Sequence, residues 1–453
     1  MAKYQAYAEY KDSGTEWLGK IPESWEKTYV KYMLKAAPCY GILKPDKYSG
    51  ENSVPVIRIL DIDKNIVDTT QLEAVSPHLS AEYNRTILTE GDLVISVVGT
   101  IGKTFICDKN LVGMNLSRAL ARVQVKNVLY ARYLQFLIES NSFHDYINVT
   151  CNGAAQKVFN MEALSNWAIP SPNMHEMKCI IEFLEYETAK IDHLIEKQQQ
   201  LIELLKEKRQ AVISHAVTKG LDPNVPMKDS GVEWLGEVPE HWIVKSYRLA
   251  SRIYRGKFGH RPRNDPAFYD GDYPFIQTGD VARAGKYITS YSQTLNEKGK
   301  EVSQLFPKGT LMMAIAANIG DIAILGFEAY APDSVVGFKP NNDIDLEFLR
   351  YSFIAALPAL EQTSTQSTQA NLNVERIGAV KGTFPSLQEQ REIVGYLDNL
   401  LEQYRNLVKI AENAISLMQE RRTALISAAV TGKIDVRHWQ SPIVAEADTE
   451  LSA

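Results

Sequence analysis

The chain of 453 residues is long enough for two or more domains, and its 45% apolar and 23% charged residues are ordinary for a globular protein. Its formal net charge is −6, no apolar window approaches bilayer-spanning length, and the opening MAKYQAYAEYKDSG has no signal-peptide core, so membrane and secreted classes are excluded and a cytoplasmic location is expected. Cys39, Cys107, Cys151 and Cys179 form no CxxC pair, which supports neither zinc nor a disulfide framework and fits reduced thiols.

Taken in order, the chain soon repeats itself. KDSGTEWLGKIPESW at 11–25 recurs at 228–242 as KDSGVEWLGEVPEHW, with Trp25 answered by Trp242. Tryptophans in such a turn either dock on the core of their own half or form a surface for a partner subunit. Trp17, Leu18, Trp234 and Leu235 are the partner-docking candidates. After each copy, Val54-Pro55-Val56-Ile57 leads to Asp61 and Tyr273-Pro274-Phe275-Ile276 leads to Asp280; both read as strands entered through an edge proline. GDLVISVVGTIG at 91–102 answers GTLMMAIAANIG at 309–320, a buried strand followed by a glycine turn. Strands at 123–125 and 335–338 and short helices at 131–139 and 346–357 follow. Each half closes with a polar turn, AAQKVFN at 154–160 and STQANLN at 367–373, before the proline-bearing segments IPSP and TFPS. Each half is therefore a mixed α/β globule that leads into a long helix.

The first of those helices covers 176–219, which holds no proline or glycine and is followed directly by Gly220. Its apolar residues step by three, four or seven (Ile180, Leu184, Ile191, Leu194, Leu201, Leu205, Val212), with Glu187, Gln198 and Lys208 as polar interruptions. That spacing predicts a coiled-coil seam, on a helix of roughly 65 Å. The run 387–433 repeats it at a constant offset of 213 residues, Tyr396 answering Phe183 and Ser427 answering Ser214. Leu397 matches Leu184, Tyr404 matches Ile191, Leu407 matches Leu194, Met418 matches Leu205 and Leu425 matches Val212. The interruptions are met by Leu400, Ala411 and Arg421. Two long helices packed against each other are predicted.

Motifs for catalysis are missing. Gly99-Thr100-Ile101-Gly102-Lys103-Thr104 resembles a phosphate loop, but that motif needs glycine where Val97 stands, and the matching Asn318-Ile319-Gly320-Asp321 has no lysine. Lys103 and the turn amides remain candidates for touching a DNA phosphate. No [DNS]-P-P-[YFW] run or FxGxG-like loop marks a methyltransferase, and Pro45-Asp46 and Pro332-Asp333 are not followed by an acidic-x-Lys pair of a metal nuclease. The eight histidines have no HExxH-like spacing. A basic signal is present instead. The stretch 245–264 carries Lys245, Arg248, Arg252, Arg255, Lys257, Arg261 and Arg263 without an acid before position 265, interleaved with Tyr247, Tyr254 and Phe258. The first half has Lys27, Lys31, Lys35, Lys44 and Lys47 against Glu26 and Asp46. Such groups suit phosphate contact and guanine reading, though a solvated charged face has the same composition. The candidate DNA-contacting residues are Lys44, Arg58, Thr100, Lys103, Asn115 and Arg118 in the first half. In the second they are Arg255, Lys257, His260, Arg261, Arg263, Gln277, Thr278 and Asn318.

The duplicated EWLG-x-[IV]-P-x-x-W segments, the GDLVISVVGTIGK strand-turn, the Gln-x3-Asn closures (Gln156 and Asn160; Gln369 and Asn373) and the helix ends RQAVISHAVTKG and RRTALISAAVTGK occur in order and twice over. Together they resemble the specificity subunit of a Type I restriction–modification enzyme across almost the whole chain. The resemblance implies an α+β protein: two mixed α/β target recognition domains joined by two long antiparallel coiled-coil helices with pseudo-two-fold symmetry. Each domain would read one half of a bipartite site in double-stranded DNA, and the helices would act as spacer and dock two methyltransferase subunits. Restriction/translocase subunits would join through them. The chain itself would be non-catalytic and bind no cofactor or metal, with S-adenosylmethionine, ATP and Mg acting in the partner subunits. The expected boundaries are 1–170 and 221–383 for the recognition domains, 171–220 and 384–434 for the helices, and 435–453 for a disordered tail. The competing reading is a coiled-coil scaffold whose globules bind other proteins; the acidic net charge favours it and the basic 245–264 stretch opposes it.

Overall fold

The structure, a computed structural model, describes residues 4–151, 158–316, 320–362 and 372–440. The chain folds as two compact units, residues 1–198 with 413–453, and residues 199–412. Each unit is α+β and holds one globule, part of the first long helix and part of the second.

The long helices are Met174–Lys219 and Leu387–Val430. Both begin just after a proline and a capping side chain. Asn173 Oδ1 accepts from the Glu176 amide at 2.9 Å, and Ser386 Oγ accepts from the Glu389 amide at 3.3 Å. Both end at a glycine with positive φ, +78° at Gly220 and +72° at Gly432. These glycines also leave room for the duplicated motif. A Cβ on Gly220 would lie 3.3 Å from the Trp242 ring, and one on Gly432 would lie 3.3 Å from Trp25 and 2.4 Å from Pro22. The tryptophan that closes each EWLG segment therefore packs on the end of a long helix.

Within the first unit, Met177, Ile180 and Leu184 of the first helix share a core with Ile426, Ala429 and Val430 of the second, together with Trp25, Tyr133 and Trp167. Within the second unit, Ile213, Ala216 and Val217 share a core with Ile393, Leu397 and Leu401, together with Trp242 and Tyr247. In both, the start of one helix meets the end of the other, so the packing is antiparallel. Arg422 adds an ion pair to Asp192 (2.9 Å) and another to Glu139 (2.7 Å) in the first unit.

The seam departs from the expected one at Leu194 and Leu201 in the first helix and at Leu407 in the second. Leu194 and Leu201 are exposed, whereas Ile195 and Ile202 are buried. In the second helix Leu407 is exposed while Val408 is half-buried. The seam runs through Leu184, Thr188, Ile191, Ile195, Gln198, Ile202 and Leu205, an alternation of four and three residues that a two-helix contact requires. Leu184, Ile191 and Leu397 are buried, and Leu205, Tyr404 and Met418 are half-buried, as a seam demands.

The first globule has a four-stranded antiparallel sheet in the order Thr104–Ile106, Leu93–Ser96, Leu120–Val123, Cys39–Tyr40. Beside it lies a three-stranded sheet with Val54–Ile57 in the centre, parallel to Asn115–Leu116 and antiparallel to Glu73–Val75. The second globule repeats the plan with longer strands. Ser251–Arg255, Val335–Pro340, Leu311–Ala314 and Ile322–Leu325 form one sheet, with Tyr287–Ile288 added at the edge. In the other sheet Tyr269–Phe275 is parallel to Ala329–Ala331 and antiparallel to Gln293–Leu295. The register makes Gly41 and Gly256 equivalent: their amides bond the Leu120 and Val335 carbonyls, and any Cβ would strike backbone oxygens, Leu116 O at 2.2 Å and Pro332 O at 1.8 Å. Only glycine permits this approach. The closing asparagines Asn160 and Asn373 serve as N-caps of Met161–Asn166 and Val374–Ala379; Gln156 and Gln369 lie outside the described residues.

Two further expectations are corrected. Leu18 and Leu235 are buried in the cores of their own units, and Trp17 donates from Nε1 to the Ala168 carbonyl at 3.0 Å and packs on Tyr146. Trp234 is half-buried against its own core. The EWLG turn is thus a clasp of the fold, with Trp17 and Trp234 half-buried at its edge. The tail does not leave the fold at 435: Ile434 and Val436 are buried, the Asp435 amide bonds the Gln5 carbonyl at 2.8 Å, and Trp439 packs on Phe183 and Tyr186. Residues 441–453 lie outside the described residues. Among the described residues no helix is long and apolar enough to cross a membrane.

Candidate nucleic-acid interface

The two proline-entered strands end in the same device. Ile57 and Ile276 are fully buried, which fixes the strand, and the chain then turns over a buried carboxylate. The Arg58 amide donates to Asp61 Oδ2 at 2.8 Å, and the Gln277 amide donates to Asp280 Oδ2 at 2.9 Å. Each turn is thereby closed by its own aspartate, and the side chain at its first position is left at the rim.

In the first unit that side chain is Arg58. Its Nε and Nη2 bond Asp61 at 3.0 and 2.9 Å, and Nη1 pairs with Glu73 at 2.9 Å. The Asp61 contact, opposed by partial burial, raises the Arg58 pKa further. In the second unit it is Gln277, which is exposed and whose Nε2 donates to Gln293 Oε1. A cavity of about 290 Å³ opens beside it, lined by Arg263, Asn264, Thr278, Gln293 and Ser334 with the rings of Phe258 and Tyr269. Three of the expected residues (Arg263, Gln277 and Thr278) therefore come together.

The basic stretch 245–264 carries less free charge than its sequence suggests, because acids from elsewhere in the chain fold onto it. Lys245 pairs with Asp343 (2.7 Å), Arg255 with Glu375 (3.2 Å) and Arg261 with Asp333 (3.6 Å). Arg263 also pairs with Asp333. His260 stacks on Phe268 and contacts Asp265 at 3.0 Å. The Ala267 amide, and secondarily His260, hold the Asp265 carboxyl below its ordinary value. Lys257 is exposed, as are Lys44, Thr100 and Arg118 in the first unit.

Two expected contacts are structural instead. Asn115 is fully buried: its amide oxygen accepts from Thr86 Oγ1 at 2.5 Å and its nitrogen donates to Ser80 Oγ at 3.2 Å, so it reads no base. Lys103 does not face outward as a phosphate ligand. Its Nζ donates to the carbonyls of Ile62 (2.7 Å) and Ile59 (3.4 Å), tying down the turn that carries Arg58. The matching position of the second unit is Asp321, whose pKa burial raises. Asn318 lies outside the described residues. Sequence reasoning missed Glu73 and Gln293, which reach the site only through strand pairing, and Ser334, which lies in the turn before Val335–Pro340. Among the described residues no cluster of His, Cys, Asp and Glu is arranged to hold a metal ion.

Two α+β globules with matched strand-end turns, each on a pair of antiparallel long helices, define a duplicated recognition protein. The profile of the Type I restriction modification DNA specificity domain matches residues 22–204 and 259–414, and the chain belongs to that family. It is 22% identical over 447 residues to the Type I restriction enzyme StySPI specificity subunit of Salmonella potsdam, covering 93% of this chain and 92% of that protein. Identity to the EcoKI specificity subunit of Escherichia coli K12 is 21% over 449 residues, with the same coverage of 93% and 92%. The match to the Escherichia coli EcoBI specificity subunit is 26% over 181 residues and spans 39% of this chain and 38% of that protein. A solved chain from work on complex assembly and conformational transition of the type I R-M system has the same fold, with a TM-score of 0.68 at 14% identity over 91% of this chain and 99% of that one.

Proposed function

We propose that this chain reads the DNA target of a Type I restriction–modification assembly, each globule recognising one half of a bipartite duplex site. The observation that carries the reading is the matched strand-end turn: one backbone device, closed by Asp61 or Asp280, presents different polar side chains in the two units. A frame that holds two unlike hydrogen-bonding surfaces suits two unlike half-sites. The long helices separate the half-site readers and dock two methyltransferase subunits, through which restriction subunits join. Adenine methylation with S-adenosylmethionine and ATP-driven, Mg-dependent cleavage belong to those subunits, and this chain supplies only the address.

The test is to co-express the chain with its methyltransferase subunits and sequence the methylome. One bipartite motif with a fixed gap is expected, and log K for that duplex should fall linearly with log salt. Absence of any sequence-specific methylation from the assembled complex would overturn the reading and favour the protein-binding scaffold. Deleting one heptad from either long helix should alter the gap and leave both half-sites unchanged.

A further inference from the structure

The site just described contains a second equivalence that concerns which base is read. In the first unit Val56 pairs across the strands with Glu73, and in the second Phe275 pairs with Gln293. Arg58 and Gln277 each stand two residues beyond those pairing points. The register therefore places two side chains at the same spot in each globule: Arg58 with Glu73, and Gln277 with Gln293. Both couples are joined at the rim, by an ion pair of 2.9 Å in one case and by an amide–amide hydrogen bond in the other. The turn backbone is held in both units by the Asp61 and Asp280 carboxylates, and in the first unit the Arg58 guanidinium also neutralises the buried Asp61.

Resting on the proposed function, we infer that each couple reads one base pair of its half-site, G·C in the first globule and A·T in the second. A guanidinium matches guanine O6 and N7, and a carboxylate accepts from the amino group of the paired cytosine. A carboxamide matches adenine N6 and N7, and a second carboxamide donates to thymine O4. Arg58 is buttressed for this task. Asp61 grips Nε and Nη2, which fixes the guanidinium plane and leaves the Nη1 edge to exchange Glu73 for a base. In the free protein the two members of each couple bond one another, and Lys47 also pairs with Glu73 at 3.3 Å. On DNA they would separate across the base pair, so the exchange leaves no polar group unpaired.

The experiment uses the full complex with its methyltransferase subunits and reads the methylome of two double variants. Arg58→Gln with Glu73→Gln is expected to change one position of the first half-site from G·C to A·T, with the second half-site intact. Gln277→Arg with Gln293→Glu should make the opposite change in the second half-site only. Each switch should correspond to a preference on the order of tenfold to a hundredfold between duplexes differing at that one base pair. Gln293→Ala, which alters one rim side chain, serves where a double variant fails to assemble; it should relax a single A·T position. An unchanged motif in assembled variants overturns the inference, as does loss of all methylation from a complex that still assembles and melts like the parent. Those outcomes leave the parent reading standing, because the unmodified complex would still methylate its bipartite site. Absence of that methylation would defeat the parent reading instead.

Discussion

Replacing Ile195 by alanine is expected to destabilise the first unit, whereas replacing its neighbour Leu194 is expected to do almost nothing. Ile195 is 6% exposed and Leu194 is 52% exposed, although both are apolar and adjacent. Isoleucine-to-alanine changes at buried sites cost about 2–5 kcal/mol, and a seam between two helices relaxes more easily than a globule core, so about 2 kcal/mol is the reasoned figure. A surface leucine should stay within about 0.5 kcal/mol. For a unit of this size, about 2 kcal/mol lowers the melting temperature by roughly 4–8 °C. Because the chain has two compact units, a single global transition is not assumed, and hydrogen exchange along 174–198 locates the effect. The reasoning fails if Leu194→Ala costs as much as Ile195→Ala, which would return the seam to the register of steps through 194 and 201.

Three further outcomes follow from single contacts. Arg122 and Asp92 are an almost fully buried pair at 2.7 Å, and Arg122 also bonds Thr89 Oγ1 and the Arg85 carbonyl, each at 2.9 Å. Arg122→Met leaves Asp92 charged and buried, so a loss of about 3–5 kcal/mol is expected by thermal melting. Lys103→Met should weaken the 59–62 turn yet leave the slope of log K against log salt unchanged; a fall of about 0.9 in that slope would return Lys103 to the phosphate-contacting set. The hydrogen bonds from Arg437, against the opposing effect of burial, hold the Asp435 carboxyl below its ordinary value. The sign is that of a depressed acid: its contribution is complete above about pH 4 and is lost as pH falls through the folded value. Protection of the Asp435 amide against exchange should therefore drop on acidification, and Arg437→Ala should remove that extra drop.

The duplication made much of the frame legible. A constant offset between two long runs announces two helices with the same partner face, and the EWLG segments mark a repeated turn without any structure. The seam register was only half legible, because Leu194-Ile195 and Leu201-Ile202 offer apolar residues in both candidate registers. Periodicity cannot choose between adjacent apolar residues; packing does. The basic stretch misled for a different reason. Its counter-charges, Asp333, Asp343 and Glu375, lie 69 or more residues away along the chain and arrive only by folding. Glu73 and Gln293 were invisible for the same cause, since strand register is a non-local property.

What the two units share and what they vary separate along a physical line. Gly41 and Gly256 are held by backbone approach, Trp25 and Trp242 by packing on helix ends, and Asp61 and Asp280 by closing a turn; each is fixed by geometry that admits few side chains. The varied positions, Arg58 against Gln277 and Glu73 against Gln293, sit at the rim, where the members of each couple bond one another, with Asp61 also on Arg58 and Lys47 also on Glu73. Gln277 and Gln293 are exchanged as a pair with little cost to the fold, because the turn beneath them keeps its own aspartate, whereas exchanging Arg58 also withdraws the cation from buried Asp61. Surface couples of this kind contribute little to stability in any case. A protein built so can vary its rim side chains while the backbone of the turns beneath them keeps its form.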